Sequence, residues 1–448
     1  MEQSTNSKGN RRVFMQKGSV LAASSLSLAA APKVHAGENN TIRIALVGCG
    51  NRGTGALRQA LAADPHTKII AIADAFEQKA NLMGEVLKET CNPEQFGLEK
   101  DRIFSGLDAY KNAIDSLSPG DVVILATPPA FRPLHFEYAV QKGVNIFAEK
   151  PLSVDVPGLR RLAAANKIAK EKGLRIAVGL NNRHYPRTEE TIRAIHDGKL
   201  GDIFSCWVYR CQAHRALSPK GNLTPLQHQL KNLFNFDWTC GGFIVDGMIH
   251  NIDICCWAKN DWPVEVQGIG GILDDLRLDQ RPDMLAVEYT FADGKRLMIQ
   301  GRSMNNNWQF HQANIQGTKG CTQVGEGVRE PRIYAGSDMV SSSRKEIWTP
   351  SVSANCNSYQ EEHNRFFAAI RAGKEWNEVD RSIKATFTAI MGRIAYQTGE
   401  RLTAEKIWTS KYELVPNVDT MSIDGPSPLM PDEQDRYFVP IPGIFKFS

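Results

Sequence analysis

A glycine-rich segment, Gly48-Cys49-Gly50-Asn51-Arg52-Gly53, separates an apolar run from a helical pattern. Residues 41–47 (TIRIALV) are rich in β-branched residues, and residues 53–63 have the spacing of a helix. A strand that ends in G-x-G-x-x-G and leads into a helix is typical of dinucleotide sites, because the glycines leave room for a tight turn, a pyrophosphate and close helix packing. The segment predicts a nucleotide site at Gly48, Gly50 and Gly53. Asn51 and Arg52 are either further contacts of the cofactor phosphates or solvent-exposed residues.

Strand and helix patterns alternate up to about residue 180. Apolar runs that resemble buried strands cover residues 41–47, 68–73, 121–126, 144–148 and 175–178. Helical patterns lie between them, at residues 53–63, 76–89, 134–141 and 156–171. Continuous β-branched runs between helices indicate strands that are buried on both faces and therefore a parallel sheet. We predict an α/β fold in which residues 37–180 form an N-terminal Rossmann domain with a doubly wound parallel sheet.

The pattern changes after about residue 185. Strand patterns then dominate, at residues 203–212, 264–273, 285–291, 296–301 and 311–317. Fewer helical patterns remain, at residues 188–196, 242–257, 359–372 and 382–399. Strands with few helices between them favour a large, open, mostly antiparallel sheet, so residues 181–410 are predicted to form a second α/β domain. Residues 213–235 are predicted as a loop that shapes the substrate site, and residues 411–448 as an extended, proline-containing tail.

The first 36 residues resemble a removable export signal. Arg11-Arg12 is followed by Val13-Phe14, an apolar stretch at residues 18–31 and a small-residue cleavage site at Val34-His35-Ala36. The paired arginines resemble a twin-arginine signal, which exports folded proteins and suits a protein that must bind its cofactor in the cytoplasm. We predict a periplasmic or cell-envelope location. The alternative is a basic, disordered tail with an apolar helix.

Charge and cysteine content narrow the classes of partner. The net charge of +4 comes entirely from the first 36 residues, and the remainder holds 48 basic and 48 acidic residues. No excess positive charge remains to attract nucleic acid or an anionic membrane. The apolar stretch is too short to cross a bilayer, so no membrane insertion is predicted. The nine cysteines are too few for a disulfide scaffold, and no standard metal-ligand spacing occurs, so no metal is predicted.

Polar residues follow several of the predicted strands. Asp74 ends the second strand, where a carboxylate would bind a ribose hydroxyl and disfavour a 2′-phosphate. We therefore predict NAD as the cofactor, with NADP as the open alternative. Asp74 could instead cap the following helix. Thr127 and Pro128 follow the third strand and either contact the cofactor or form an ordinary turn.

Glu149-Lys150-Pro151 ends the run at residues 144–148, which places Glu149 and Lys150 at the edge of the predicted sheet. Ligands bind at the carboxyl ends of strands in open α/β sheets. Lys150 is therefore expected to face the cofactor and to take part in proton transfer, the alternative being a solvated loop lysine. Asn182 and Arg183 follow the strand at residues 175–178 and either contact substrate or bond within their own loop.

Several of these motifs, taken in order, resemble the glucose–fructose oxidoreductase/inositol dehydrogenase/MocA (Gfo/Idh/MocA) family. The resemblance spans about residues 40–400 and rests on the glycine segment, Asp74, Ala126-Thr127-Pro128 with His135, Glu149-Lys150-Pro151, and residues 241–253 (GGFIVDGMIHNID). It implies a Rossmann domain, a second domain whose open sheet forms a homo-oligomer interface, and an active site of Lys150, Asp246 and His250. Asp246 and His250 are also four residues apart in a predicted helix and would share one face, so that Asp246 could hold His250 and raise its basicity. Asp253 is expected to hold the helix in place.

We predict from these features an NAD(P)-dependent oxidoreductase that moves a hydride between a sugar, polyol or glycoside hydroxyl and a tightly bound nicotinamide cofactor. Two alternatives stay open. One is a redox-neutral enzyme that cleaves glycosides by oxidation, elimination and reduction at the same residues. The other is a non-catalytic sugar-binding protein with this fold.

Overall fold

The computed structural model describes residues 40–273, 278–341, 343–352 and 355–447. The predicted signal peptide, residues 1–36, lies outside the described residues. None of the helices in the described ranges is both long enough and apolar enough to span a bilayer.

Six parallel strands form the first sheet, in the order β3-β2-β1-β4-β5-β6. Their bounds are β1 Ile42–Val47, β2 Thr67–Asp74, β3 Ile103–Ser105, β4 Val122–Leu125, β5 Asn145–Ala148 and β6 Ile176–Val178. Alternate residues of β1 enter two different apolar clusters, Ile44 and Leu46 in one and Ala45 and Val47 in the other. The sheet is therefore covered on both faces, which confirms the predicted doubly wound fold. The order reverses between β1 and β4, and such a switch point opens a ligand crevice.

The helices of this half include the element that follows the glycine segment. Their bounds are α1 Asn51–Ala63, α2 Glu77–Thr90, α3 Ala109–Asp115, α4 Arg132–Lys142, α5 Val156–Glu171 and α6 Pro186–His196. The start of α5 is set by Asp155, whose carboxylate accepts a hydrogen bond from the backbone N–H of Gly158 at 2.9 Å. The short strand β3 and helix α3 were not predicted, because each offers too few residues for a periodic pattern.

The second sheet has nine strands in the order β14-β13-β12-β11-β7-β10-β9-β8-β15. Their bounds are β7 Ile203–Gln212, β8 Glu265–Gly271, β9 Met284–Thr290, β10 Arg296–Ser303, β11 Phe310–Gly317, β12 Gly320–Val324, β13 Ile333–Ala335, β14 Glu346–Trp348 and β15 Leu402–Thr403. Only β7 and β10 pair in parallel among these strands, so the predicted, mostly antiparallel sheet is confirmed. The helices of this half are α7 Pro225–Lys231, α8 Asp237–Cys240, α9 Phe243–Gly247, α10 Ile249–Lys259, α11 Ser358–Arg371, α12 Val379–Thr398 and α13 Ala404–Trp408.

Two predictions in this half were wrong in detail. The single helix expected over residues 242–257 is two helices that break at Met248. The carbonyl of Gly247 accepts a hydrogen bond from Arg210 Nη1 at 2.6 Å, and the N–H of Asn251 donates instead to Met248. The segment 213–235 is not all loop, because Thr224 and Gln227 form a capping box at the start of α7. The predicted domain boundaries at residues 180 and 410 stay predictions.

Candidate functional site

The glycine segment forms the floor of the crevice between β1 and α1. Gly48 has a φ of +101°, and a Cβ there would lie 2.7 Å from the carbonyl carbon of Ala126. A Cβ at Gly53 would lie 1.9 Å from the carbonyl oxygen of Gly48, so α1 packs directly on the turn. At Gly50 a Cβ would meet no atom within 4 Å. The first and third glycines are thus required by packing, and the second faces open space at the amino end of α1, where a pyrophosphate would bind.

Asp74 joins the glycine segment to the end of β2. One carboxylate oxygen accepts the N–H of Cys49 at 2.8 Å, and the other accepts the N–H of Phe76 at 3.0 Å. The residue that precedes α2 is Phe76, which makes no side-chain cap, so Asp74 does not cap the helix. Its carboxylate instead lines a cavity together with Gly48 and Gly50.

The same cavity contains the other residues predicted to contact the cofactor on this side. Thr127 and Pro128 line it after β4, and the hydroxyl of Thr127 lies 3.1 Å from Nδ1 of His135. Burial lowers the pKa of His135 to about 3, so this imidazole is neutral. Open space at Gly50, a carboxylate at Asp74 and apolar walls together fit the adenosine and phosphate groups of a dinucleotide.

Arg52 and Glu149, both predicted to contact the cofactor, are paired with each other. Arg52 Nε lies 2.7 Å from Glu149 Oε1, and its guanidinium stacks over the ring of Tyr359 at 4.6 Å. Glu149 is buried at the end of β5, so the pair ties the first turn of α1 to the strand that carries Lys150. Asn51 is exposed at the start of α1. Cofactor contact by these three residues stays a prediction.

Lys150 meets the second half of the chain. Its Nζ donates to the carbonyl oxygen of Asp246 at 2.8 Å and lies 3.4 Å from that residue's Oδ1. Both side chains are about four-fifths buried, at 19% and 23% exposure. The ammonium at the carboxyl edge of the first sheet is therefore held by α9 rather than surrounded by solvent, so Lys150 is not a solvated loop lysine.

His250 follows the helix break, near the first residues of α10, and is 5% exposed. Its Nδ1 is buried without a hydrogen-bond partner among the described residues. Burial lowers the pKa of His250 to about 3, and the charges of Lys150 and Arg210 add to this shift while Glu326 opposes it. The imidazole of His250 is therefore neutral at pH 7.

Asp246 was expected to hold His250, but the structure gives its carboxylate a different partner. The break at Met248 removes the continuous helix that would have placed Asp246 and His250 on one face. The described hydrogen bonds of Asp246 include Lys150 and not His250, and the pKa of His250 is lowered rather than raised. Asp246 therefore positions the lysine.

Arg183 is engaged within the protein. Its Nε and Nη2 donate to the two carboxylate oxygens of Asp253 at 2.7 and 2.9 Å, and the guanidinium lies 4.7 Å from the ring centre of Trp257. This buried pair links α10 to the loop after β6. Substrate contact by Arg183 stays a prediction. Asn182 has a buried Nδ2 without a partner among the described residues, so it stays a candidate for substrate binding.

Sequence reasoning missed three charged or titratable residues near His250. Arg210 Nη1 lies 3.2 Å from His311 Nε2, and Glu326 Oε2 lies 3.3 Å from each of these nitrogens. Arg210 and His311 are opposite each other on β7 and β11. Only long-range strand pairing brings them together, so no local spacing in the sequence could reveal the group.

Comparisons with known proteins agree with this architecture. A family model described as "Oxidoreductase family, NAD-binding Rossmann fold" (GFO_IDH_MocA) matches residues 42–180. Inositol 2-dehydrogenase from Rhizobium meliloti is 23% identical over 338 residues, which cover 75% of this chain and 90% of the relative. A 2,7-anhydro-N-acetylneuraminate hydratase from Mediterraneibacter gnavus is 22% identical over 373 residues, covering 74% of this chain and 93% of the relative.

A solved structure of scyllo-inositol dehydrogenase from Lactobacillus casei, with bound NAD(H) and scyllo-inositol, has the same fold. It is 16% identical, has a TM-score of 0.60, and the match covers 82% of this chain and 99% of that chain. The match covers most of both chains and therefore shows a shared fold.

Proposed function

We propose that this chain transfers a hydride between a nicotinamide cofactor and a secondary hydroxyl of a sugar, polyol or glycoside, because residues 42–180 match the model of the Gfo/Idh/MocA family of NAD-binding oxidoreductases. The observation that carries the proposal is the contact of Lys150 with Asp246 at the carboxyl edge of the first sheet. It places an ammonium from the nucleotide half against α9, which is followed at once by the helix that carries His250. Two groups suited to proton transfer thus converge where the nicotinamide of a bound dinucleotide would end.

The cofactor, when bound, supplies hydride acceptance at C4 of its nicotinamide. The residues of this chain manage the proton and the charge on oxygen. In the oxidation direction, the C–H bond of the substrate breaks with its electron pair leaving as hydride, and the O–H proton passes to the neutral imidazole of His250. The Lys150 ammonium stabilises negative charge that develops on the substrate oxygen, and Asp246 holds this ammonium in position. The product is a ketone, and one proton remains on the enzyme until solvent removes it.

NAD is favoured over NADP by the end of β2. The Asp74 carboxylate faces the cavity and would repel a 2′-phosphate. The description of the family as NAD-binding and the NAD(H) in the scyllo-inositol dehydrogenase structure support the same choice.

A redox-neutral reaction is the second candidate, because one relative is named a hydratase. Oxidation of one hydroxyl to a ketone acidifies the neighbouring C–H bond. A base can then remove that proton, and the electron pair expels a β-linked alkoxide as the aglycone. Return of the hydride restores both the cofactor and the hydroxyl. The same Lys150 and His250 would serve each step.

The proposal also includes export of the protein and its assembly into a homo-oligomer. The paired arginines at residues 11–12 support twin-arginine export to the periplasm or cell envelope. The second sheet supports a homo-oligomer, because partly exposed rings pack together on β7 and around the start of β11, namely Trp207, Tyr209, Trp308 and Phe310.

The test combines nucleotide identification with product analysis. Purified mature protein is denatured, and the released nucleotide is identified by mass spectrometry. Intact protein is then incubated with polyols, free sugars and aryl glycosides while NADH absorbance and aglycone release are recorded. NADH formation supports the dehydrogenase, and aglycone release without net NADH supports the redox-neutral enzyme. Absence of any bound or bindable nicotinamide nucleotide would refute both and favour a non-catalytic protein.

A further inference from the structure

The cavity beside Asp74 has one wall that does not belong to the first sheet. Asp74 and Gly106 border it at the ends of β2 and β3, and Leu230 and Leu233 border it from α7 and the short 3-10 turn that follows. In the sheet order, β2 and β3 lie on one side of β1, whereas β5 and Lys150 lie on the other. The leucines therefore face the half of the cleft that is remote from the reacting ring.

We propose that Leu230 and Leu233 bind the adenosine half of the dinucleotide, and that residues 414–438, the C-terminal segment, hold them there. Exchange of the cofactor with solvent then requires the C-terminal segment to separate from the residues around the cavity. The inference rests on the proposed function, because it takes the ligand of the cleft to be a nicotinamide dinucleotide.

An apolar cluster links the cavity to the C-terminal segment. Phe76, Leu107 and Phe131 line or pack beside the cavity, and they belong to the same cluster as Leu230. Its other buried members include Leu226, Phe236, Trp238, Val415 and Tyr437. The rings of Phe236 and Tyr437 meet edge to face with centres 4.9 Å apart. Removing the C-terminal segment would thus expose the outer side of the wall that Leu230 contributes.

A fully buried glutamine joins α7 to the C-terminal segment. Gln229 is 0% exposed; its Nε2 donates to the carbonyl of Leu429 at 2.7 Å, and its Oε1 accepts from the hydroxyl of Ser427 at 2.7 Å and from Trp238 Nε1. Gln227, one turn from Leu230, donates to Asp424 at 3.1 Å. Buried polar groups satisfied in this way specify one arrangement, so the position of α7 depends on the C-terminal segment.

The C-terminal segment is also bound to the nucleotide half. The N–H of Leu414 donates to Asp155 Oδ2 at 2.9 Å, and Arg161 of α5 makes two hydrogen bonds to Asp419, at 2.9 and 2.7 Å. The segment therefore bridges α5 and α7, which belong to the two sides of the cleft. Such a bridge favours a closed cleft and slow release of whatever lies beneath it.

The test measures exchange of isotope-labelled NAD in the full-length mature protein. Wild type, Leu233→Ala and Tyr437→Ala are loaded with NAD, transferred to labelled NAD, and sampled by mass spectrometry over time. Ile444→Ala is the matched control, since Ile444 is an aliphatic residue near the same end of the chain but 74% exposed. We expect exchange to accelerate about tenfold or more in both variants and to stay at the wild-type rate in the control.

A second measurement locates the effect within the cofactor. Competition with ADP-ribose and with nicotinamide mononucleotide separates the two halves of the ligand. We expect Leu233→Ala to weaken ADP-ribose binding and to leave nicotinamide mononucleotide binding unchanged. Leu233 is only half-buried, so this variant stays informative if loss of the buried Tyr437 ring prevents folding.

The outcomes separate this inference from the proposed function. If wild type binds NAD and both variants exchange it at the wild-type rate, the proposed function stands and the inference is overturned. Equal weakening of ADP-ribose and nicotinamide mononucleotide would also overturn it, because the leucines would then act on the whole cleft. If wild type binds no nicotinamide nucleotide, both proposals fail together.

Discussion

The two sides of the cleft differ in what holds their functional groups. On the nucleotide side, the glycine segment, Asp74 and Lys150 each follow directly from a strand of one sheet, at the ends of β1, β2 and β5. On the other side, Arg210, His250, His311 and Glu326 come from α10, from two strands and from the loop after β12. The hydrogen bond between Lys150 and Asp246 that joins the two sides spans 96 residues of chain.

From this difference we expect backbone geometry to govern cofactor binding and side-chain charge to govern substrate chemistry. The turn at Gly48 is shaped by contacts between main-chain atoms and leaves no room for a Cβ. The surroundings of His250 are instead set by Lys150, Arg210, His311 and Glu326, whose charges act together. Substitutions in the glycine segment should therefore change stability and affinity, and substitutions of Lys150 or of the charged groups across the cleft should change rate.

The largest effect is expected for Lys150→Ala, at the point where the two sides meet. Loss of a proton-transfer or charge-stabilising group should lower kcat by about 10²–10⁴-fold. NAD content should stay near the wild-type value, because the glycine segment and Asp74 are unchanged. Turnover and bound NAD are measured on the same preparation. Near-normal turnover on the true substrate, with NAD still bound, would show that Lys150 is not an active-site residue.

Asp253→Asn tests whether a buried charge near the site is structural. It breaks the two-hydrogen-bond pair with Arg183, whose guanidinium is then buried without its counter-charge. We expect the free energy of unfolding to fall by about 3–5 kcal/mol. The kcat of the folded fraction should change far less than in Lys150→Ala. A loss of kcat with unchanged urea denaturation would instead make Asp253 a participant in catalysis.

The sequence was most informative where local patterns decide the structure. The five predicted strands of the first half match β1, β2, β4, β5 and β6 within one residue at each end. Helix α5 matches its predicted bounds, because Asp155 caps it. The glycine segment and the carboxylate at Asp74 were also identified, since a motif between a strand and a helix has a fixed geometry.

The rest depended on contacts that no local pattern encodes. At the break at Met248, the carbonyl of Gly247 accepts a hydrogen bond from Arg210, which is 37 residues away in the chain. The pairing of Arg183 with Asp253, 70 residues apart, was not predicted for the same reason. Leu230 and Leu233 lie in a segment of weak periodicity, and only the folded chain shows that both line the cavity beside Asp74.

A pair of glycine variants sharpens the comparison within the nucleotide side. Gly53→Ala places a Cβ 1.9 Å from a backbone oxygen and should lower the free energy of unfolding by about 1–3 kcal/mol. Gly50→Ala meets no atom within 4 Å, so it should fold with near wild-type stability. It should nevertheless bind NAD more weakly, because its methyl group enters the space predicted for the pyrophosphate. Thermal unfolding and NAD titration check both variants. An unchanged NAD affinity in Gly50→Ala would show that the phosphates bind elsewhere.

The smallest expected effect is on stability in acid, and it does not distinguish the two sides of the cleft. Burial, with a further contribution from Arg52, lowers the pKa of His363 to about 3; the ring is fully buried and stacks on Phe147 at 4.1 Å. In the unfolded chain this side chain binds a proton below about pH 6.5, whereas in the folded chain it binds one only near pH 3. Stability is therefore full above this pH window and is lost as the pH falls through it. His363→Phe should therefore reduce the loss of unfolding free energy between pH 7 and pH 5 by about 2 kcal/mol.

His196, which is exposed, provides the control as His196→Asn. Urea denaturation at both pH values checks the difference, and an equal loss in wild type and His363→Phe would show that His363 is protonated in the folded chain.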